Sequence, residues 1–137
     1  MAIQIIDPLE VGKIEKKRTP VFNSRKAHAW VHYYTPGQHD ELHCHNADQV
    51  FICIDGECTM SFPDGTSTVM KPGTAALING GSFYRLENTG KGPMTLMGWR
   101  TGSEEQVLTI DFATRRKVVF ENGQAILTET ATASELQ

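Results

Sequence analysis

Short β-rich runs, each closed by Gly, Pro or Asn, recur along almost the whole chain, and this rhythm constrains the fold more than any single motif. Residues 29–35 (AWVHYYT) stop at Pro36-Gly37, and QVFICI (49–54) and ECTMSF (57–62) are joined at Asp55-Gly56. STVM (67–70), TAALI (74–78), FYRLEN (83–88), MTLMGW (94–99) and VLTIDF (107–112) follow, with Lys71-Pro72-Gly73, Asn79-Gly80-Gly81 and Thr89-Gly90 among the turn residues between them. KVVF (117–120) and QAILTE (124–129) flank Asn122-Gly123, a strong hairpin signal over about 117–129. Runs this short, with no segment of 3.6-residue apolar period, predict an all-β antiparallel barrel or sandwich with less than about a tenth of its residues in helix.

The ends read less regularly. Ile3, Gln4 and Ile5 alternate as in a short N-terminal strand, 1–8, closed by Asp7-Pro8. Lys13 to Arg18 reads as a charged, solvated turn, and 130–137 as a frayed tail. With no internal repeat and no linker, residues 1–137 are expected to form a single domain.

Charge and composition exclude some partners. A formal net charge of -3 provides no basic field for nucleic acid or an anionic membrane. No apolar run approaches the roughly 20 residues needed to span a bilayer. The N-terminal MAIQIIDPLE lacks the basic start and apolar middle of a signal peptide, so a cytoplasmic protein is expected. Cys44, Cys53 and Cys58 are odd in number and lack CxxC spacing, which predicts free thiols.

The chemistry concentrates in GQHDELHCHNADQVFICIDG, residues 37–56. In a strand, side chains of one parity project to one side, so His43, His45 and Gln49 can converge on a metal-sized point while Cys44 faces away. Phe51 and Cys53 share the parity of Gln49 and are expected to line the same cavity as apolar walls.

Two spacings then carry a resemblance. Gly37, five residues, His43-Cys44-His45, three residues, Gln49, six residues and Gly56 form the first. Gly73, five residues, Asn79-Gly80-Gly81, two residues, Tyr84, three residues and Asn88 form the second. Both keep the spacing of the paired motifs of cupins, and the chain resembles a small single-domain cupin with motif core 37–88. The resemblance implies a double-stranded β-helix, or jelly-roll, barrel. Where the family carries Glu, Pro and a last His, this chain carries Gln49, Asn79 and Tyr84.

By that resemblance His43, His45, Gln49 and Tyr84 would hold one divalent transition metal: Mn, Fe, Ni or Zn. A Gln amide oxygen can coordinate but brings no charge, so the cation would bind less tightly and act as a stronger Lewis acid. Tyr84 is then a phenolate ligand, a protonated acid/base group beside the metal, or a barrel-lining aromatic. The reading is an enzyme doing non-redox isomerase, cyclase or lyase chemistry on a small oxygenated molecule, as in the minority of cupins with Gln at this position. A non-haem iron dioxygenase is the runner-up, weakened by the missing carboxylate or third His. A non-catalytic, small-ligand-binding cupin with a decayed metal site is the alternative of a different class. In such an empty barrel Gln49 would be a satisfied polar residue, and a Glu there would be a buried carboxylate without a partner.

His28, His32 and His39 lie outside the motif positions and are assigned structural or surface roles. The Arg115-Arg116-Lys117 cluster reads as protection of an exposed strand against edge pairing. The family resemblance suggests a homodimer, with Ile3, Ile5 and Ile6 adding a strand to a partner sheet.

Overall fold

Alternation in the sequence becomes sidedness in the computed structural model, which describes residues 3–136. In chain order the strands are β1 (Arg18–Asn23), β2 (Ala27–Tyr34), β3 (His43–His45), β4 (Gln49–Asp55), β5 (Cys58–Ser61), β6 (Ser67–Met70), β7 (Ala75–Ile78), β8 (Arg85–Asn88), β9 (Met94–Thr101), β10 (Thr109–Asp111), β11 (Arg116–Glu121) and β12 (Gln124–Thr130). Helix among the described residues is confined to α1 (Pro8–Gly12) and two single 3-10 turns, Glu104–Gln106 and Ser134–Leu136. The all-β expectation therefore holds.

The strands form three antiparallel sheets, in the orders β1-β2-β9-β4-β7, β12-β11-β10-β3 and β6-β5-β8. The last two are continuous in practice, because residues 37–45 run along 84–88. His39 bridges Glu87, His43 bridges Tyr84, and the His43 and Tyr84 amides exchange hydrogen bonds of 3.1 and 2.9 Å with each other's carbonyls. The result is a jelly roll of two curved layers. Burial alternates as the parity argument requires: Gln49, Phe51 and Cys53 on β4 point in, while Val50, Ile52 and Ile54 are half-buried. Trp30, Phe51, Met60, Tyr84, Leu86 and Leu96 fill the interior, and each large apolar side chain buried this way contributes about 2 kcal/mol. Asn88, from the second spacing, is a structural pin. Its Nδ2 donates to the Tyr34 and Gly92 carbonyls at 2.8 and 2.9 Å, and its Oδ1 accepts the Gly90 amide.

The ends differ from expectation. Residues 3–8 form no strand, and Met1 and Ala2 lie outside the described residues. Asp7-Pro8 starts a helix instead of closing a strand. The Asp7 carboxylate accepts the Leu9 amide at 2.9 Å and Pro8 takes the first helical turn, where no N–H is missed. Arg18, read as the end of a turn, opens the edge strand β1, and residues 19–23, to which the sequence assigned no element, continue it. Pro20 sits there next to a bulge, since an edge tolerates a missing amide. The tail is anchored: Lys117 Nζ reaches Glu135 at 2.5 Å, and Thr132 and Glu135 cap the last turn reciprocally. Gln137 lies outside the described residues. The β11–β12 hairpin turns at Asn122-Gly123 with φ of 51° and 76°, the doubly positive geometry that Asn-Gly favours. No helix of the described residues is long and apolar enough to cross a membrane.

Candidate functional site

One end of the barrel interior is apolar, with Cys53, Cys58, Met60, Met70 and Met94 buried together. All three cysteines are free and buried, which pushes the Cys44 thiol up to about 11 and Cys58 to about 12. The other end is polar. There β3, held between β10 and the strand-like segment leading to β8, presents His43 and His45, whose ring centroids lie 4.9 Å apart. Tyr84 completes this corner, 4.5 Å from the His43 ring and 6.1 Å from that of His45, and Phe51 packs behind it at 5.8 Å. Four of the residues singled out in the sequence thus meet: His43, His45, Tyr84 and Phe51. Cys53 lies deeper, and its thiol points to the carbonyls of Asp55 and Gly56.

Backbone carbonyls decide the histidine tautomers. His43 Nδ1 lies 2.6 Å from the Glu41 carbonyl and His45 Nδ1 lies 3.1 Å from the Leu108 carbonyl. A carbonyl only accepts, so each Nδ1 carries a proton, and in a neutral ring Nε2 then holds the lone pair. That of His45 is fully buried and has no partner, an acceptor waiting for a donor. Burial first, then the nearby Arg100 charge, holds the His45 imidazole well below the usual histidine range and so neutral.

Gln49 is buried with its amide oxygen engaged. Arg100 Nε donates to Gln49 Oε1 at 2.7 Å. The guanidinium also points Nη1 at His28 Nε2, 3.4 Å away, and lies 4.0 Å from the Trp30 ring centroid. His28 and His32, given structural or surface roles from sequence, are interior groups of this network. The Gly102 carbonyl accepts from His28 Nδ1 at 3.0 Å; the Lys17 carbonyl accepts from His32 Nδ1 at 2.9 Å, and Trp30 Nε1 donates to His32 Nε2 at 2.9 Å. Burial lowers the His32 pKa to about 3 and lowers that of His28 as well. Tyr84 is pushed up by burial, against the pull of Arg100, and stays a neutral phenol. His28 and His32 take the structural side of that expectation, and His39, partly exposed beside Glu41, takes the surface side.

Sequence reading missed Arg100. The run read as a strand ended at Trp99, yet the parity of Met94, Leu96 and Gly98 extended by one step points Arg100 inward. His28 and His32 were equally legible, since they share parity with Trp30 and Tyr34 in AHAWVHYY.

This donor set fits a resident divalent metal poorly. Two imidazoles are available, but the amide oxygen is held by a cation and the phenol by its own proton. Among the described residues no three His, Cys, Asp or Glu side chains gather as ligands. The nearest carboxylate, Asp40, accepts the Leu86 amide at 2.7 Å and lies 4.0 Å from Nδ1 of His43, on the ring edge away from the lone pair. A dication would sit beside a guanidinium with no anionic ligand to offset the repulsion.

A family model described as a cupin domain matches residues 30–99, more than half of the chain. No protein of curated function matches in sequence. Among solved structures, a double-stranded β-helix protein from Klebsiella pneumoniae aligns with a TM-score of 0.61 at 22% identity, over 67% of this chain and 81% of the other. A cupin domain from Bordetella pertussis gives 0.56 at 15%, over 63% and 92%. A polyketide cyclase from Streptomyces resistomycificus gives 0.59 at 14%, over 66% and 67%. Identities this low carry the fold alone.

Proposed function

For a chain that belongs to the cupin domain family, we propose a small-ligand-binding barrel whose mouth takes an oxygenated molecule through His43, His45, Tyr84 and Arg100, without a resident divalent metal. One observation carries this reading: the Arg100 guanidinium occupies the Gln49 oxygen that a metal would need, at 2.7 Å. The chemistry left to the mouth is complementary hydrogen bonding among buried groups, His45, Gln49, Tyr84 and Arg100, where the local dielectric is low. The His45 lone pair accepts from a ligand O–H, and Tyr84 supplies a phenolic O–H.

A specific observation favours a second reading, Lewis-acid isomerase, cyclase or lyase chemistry with Gln49 and Tyr84 completing the ligands. Both motif imidazoles are tethered through Nδ1 and present Nε2, as metal-ligating histidines do. Elemental analysis of untagged protein, with thermal melts in Mn, Ni and Zn, separates the two. The proposed binder is expected to hold well under one equivalent of metal and to melt at the same temperature in each. Stoichiometric metal that is lost in His43→Ala and His45→Ala decides for the enzyme.

The protein is also proposed to be a cytoplasmic homodimer. Ile3 and Ile5 are 68% and 88% exposed on a segment that pairs with no strand of its own barrel. Such a segment can add to a partner's sheet edge. Sedimentation at micromolar concentration should give a dimer that Ile3→Ser/Ile5→Ser dissociates, and a wild-type monomer removes the idea.

A further inference from the structure

Among the described residues a strong charge faces the interior at the polar end of the barrel, a cation whose partners are all neutral. Arg100 is 7% exposed, so its guanidinium has lost most of its water. It meets an amide oxygen in Gln49, an imidazole nitrogen in His28 and the π-face of Trp30. Buried charges are ordinarily paired, yet no carboxylate of the described residues lies within ion-pair distance of Arg100. The nearby acids are committed elsewhere. Glu104 pairs with Arg18 at 2.5 Å, and Asp40 is held by the Leu86 amide and lies beside His43. Arg18 itself stands 5.1 Å from the Trp30 centroid, so its charge adds to the positive field around the indole.

We infer that Arg100 anchors the anionic group of the molecule that enters the mouth, and that this molecule is a hydroxy acid: a carboxylate for Arg100, and a hydroxyl to donate to the buried His45 Nε2. The planar guanidinium fork matches a carboxylate bidentately, which the single amide oxygen of Gln49 cannot do. Gln49 then has a positioning role. As a neutral acceptor it holds the guanidinium in place without cancelling the charge a ligand must find. A Glu at this position would pair with Arg100 and compete with any incoming anion. The inference rests on the metal-free binding reading above and names the ligand class of the same site.

The test uses matched probes, lactate and salicylate against lactamide and salicylamide, followed by 15N NMR of the Arg100 Nε–H and Trp30 Nε1–H groups. The two acids should shift both peaks saturably and bind at least tenfold more tightly than their amides. Gln49→Glu, which keeps a partner for Arg100 and hence the fold, should weaken acid binding at least tenfold and amide binding by much less, so that the preference for acid over amide falls. Amides that bind as tightly as the acids overturn the anion anchor while leaving the small-molecule site standing. Acid binding undiminished in Gln49→Glu overturns it too. If no probe moves either peak, both the site and its anchor fall, whereas Zn that shifts the His43 and His45 ring signals overturns the metal-free reading itself.

Discussion

Gly98→Ala is expected to cost about 3 kcal/mol, the upper end of what overpacking one methyl into a filled core costs. A Cβ at this position would lie 2.5 Å from Trp30 Cζ2 and 2.7 Å from Phe51 Cε1, well inside van der Waals contact. Neither ring can yield. Both are fully buried and pack edge-to-face on each other with centroids 5.7 Å apart. Displacing Trp30 also moves the surface on which Arg100 rests, so the variant should disturb the polar end of the barrel as well as the core. Urea unfolding measures the loss. Gly92→Ala is the control: its added Cβ meets nothing within 4 Å, and it should stay within about 0.5 kcal/mol of wild type. A Gly98→Ala protein as stable as that control would mean that the two rings do not meet over residue 98.

Gln49→Glu is expected to stabilise the protein at pH 7 by about 1–3 kcal/mol, the range of a hydrogen bond that gains charge on its second partner. From the motif alone, the same change in a metal-free barrel should bury a carboxylate without a partner and destabilise it. Arg100 Nε at 2.7 Å reverses that sign. The guanidinium would hold the new carboxyl below its unfolded value. Its contribution should then be complete above about pH 4.3 and disappear as the pH falls through the lower folded value. Denaturation curves for both proteins between pH 7 and pH 3, with and without Zn, read this directly. A variant less stable than wild type at pH 7 that only metal restores would point back to a cation site at His43 and His45.

Much of this protein is legible in the chain itself. Period-two alternation marks β4 and β9 as strands, Asn122-Gly123 sets a hairpin, and the two Gly-His and Gly-Tyr spacings place His43, His45 and Tyr84 on one wall. These signals are local, because side-chain parity and turn geometry depend on residues within a few positions of each other. Local reading failed where competing local rules are nearly balanced. Asp7-Pro8 can end a strand or begin a helix, and Pro20 argues against a strand unless that strand is an edge.

The character of the site was decided elsewhere. Gln49 and Arg100 are 51 positions apart and meet because the β4–β9 register sets them directly opposite each other. Parity tells which face a residue takes, but not which residue of another strand will face it. That choice is made by strand order and register, which the whole sheet settles together as it closes over its core. Local pattern is enough for a cupin barrel with two inward histidines, whereas the guanidinium on the Gln49 oxygen belongs to the register of two distant strands and to no local pattern.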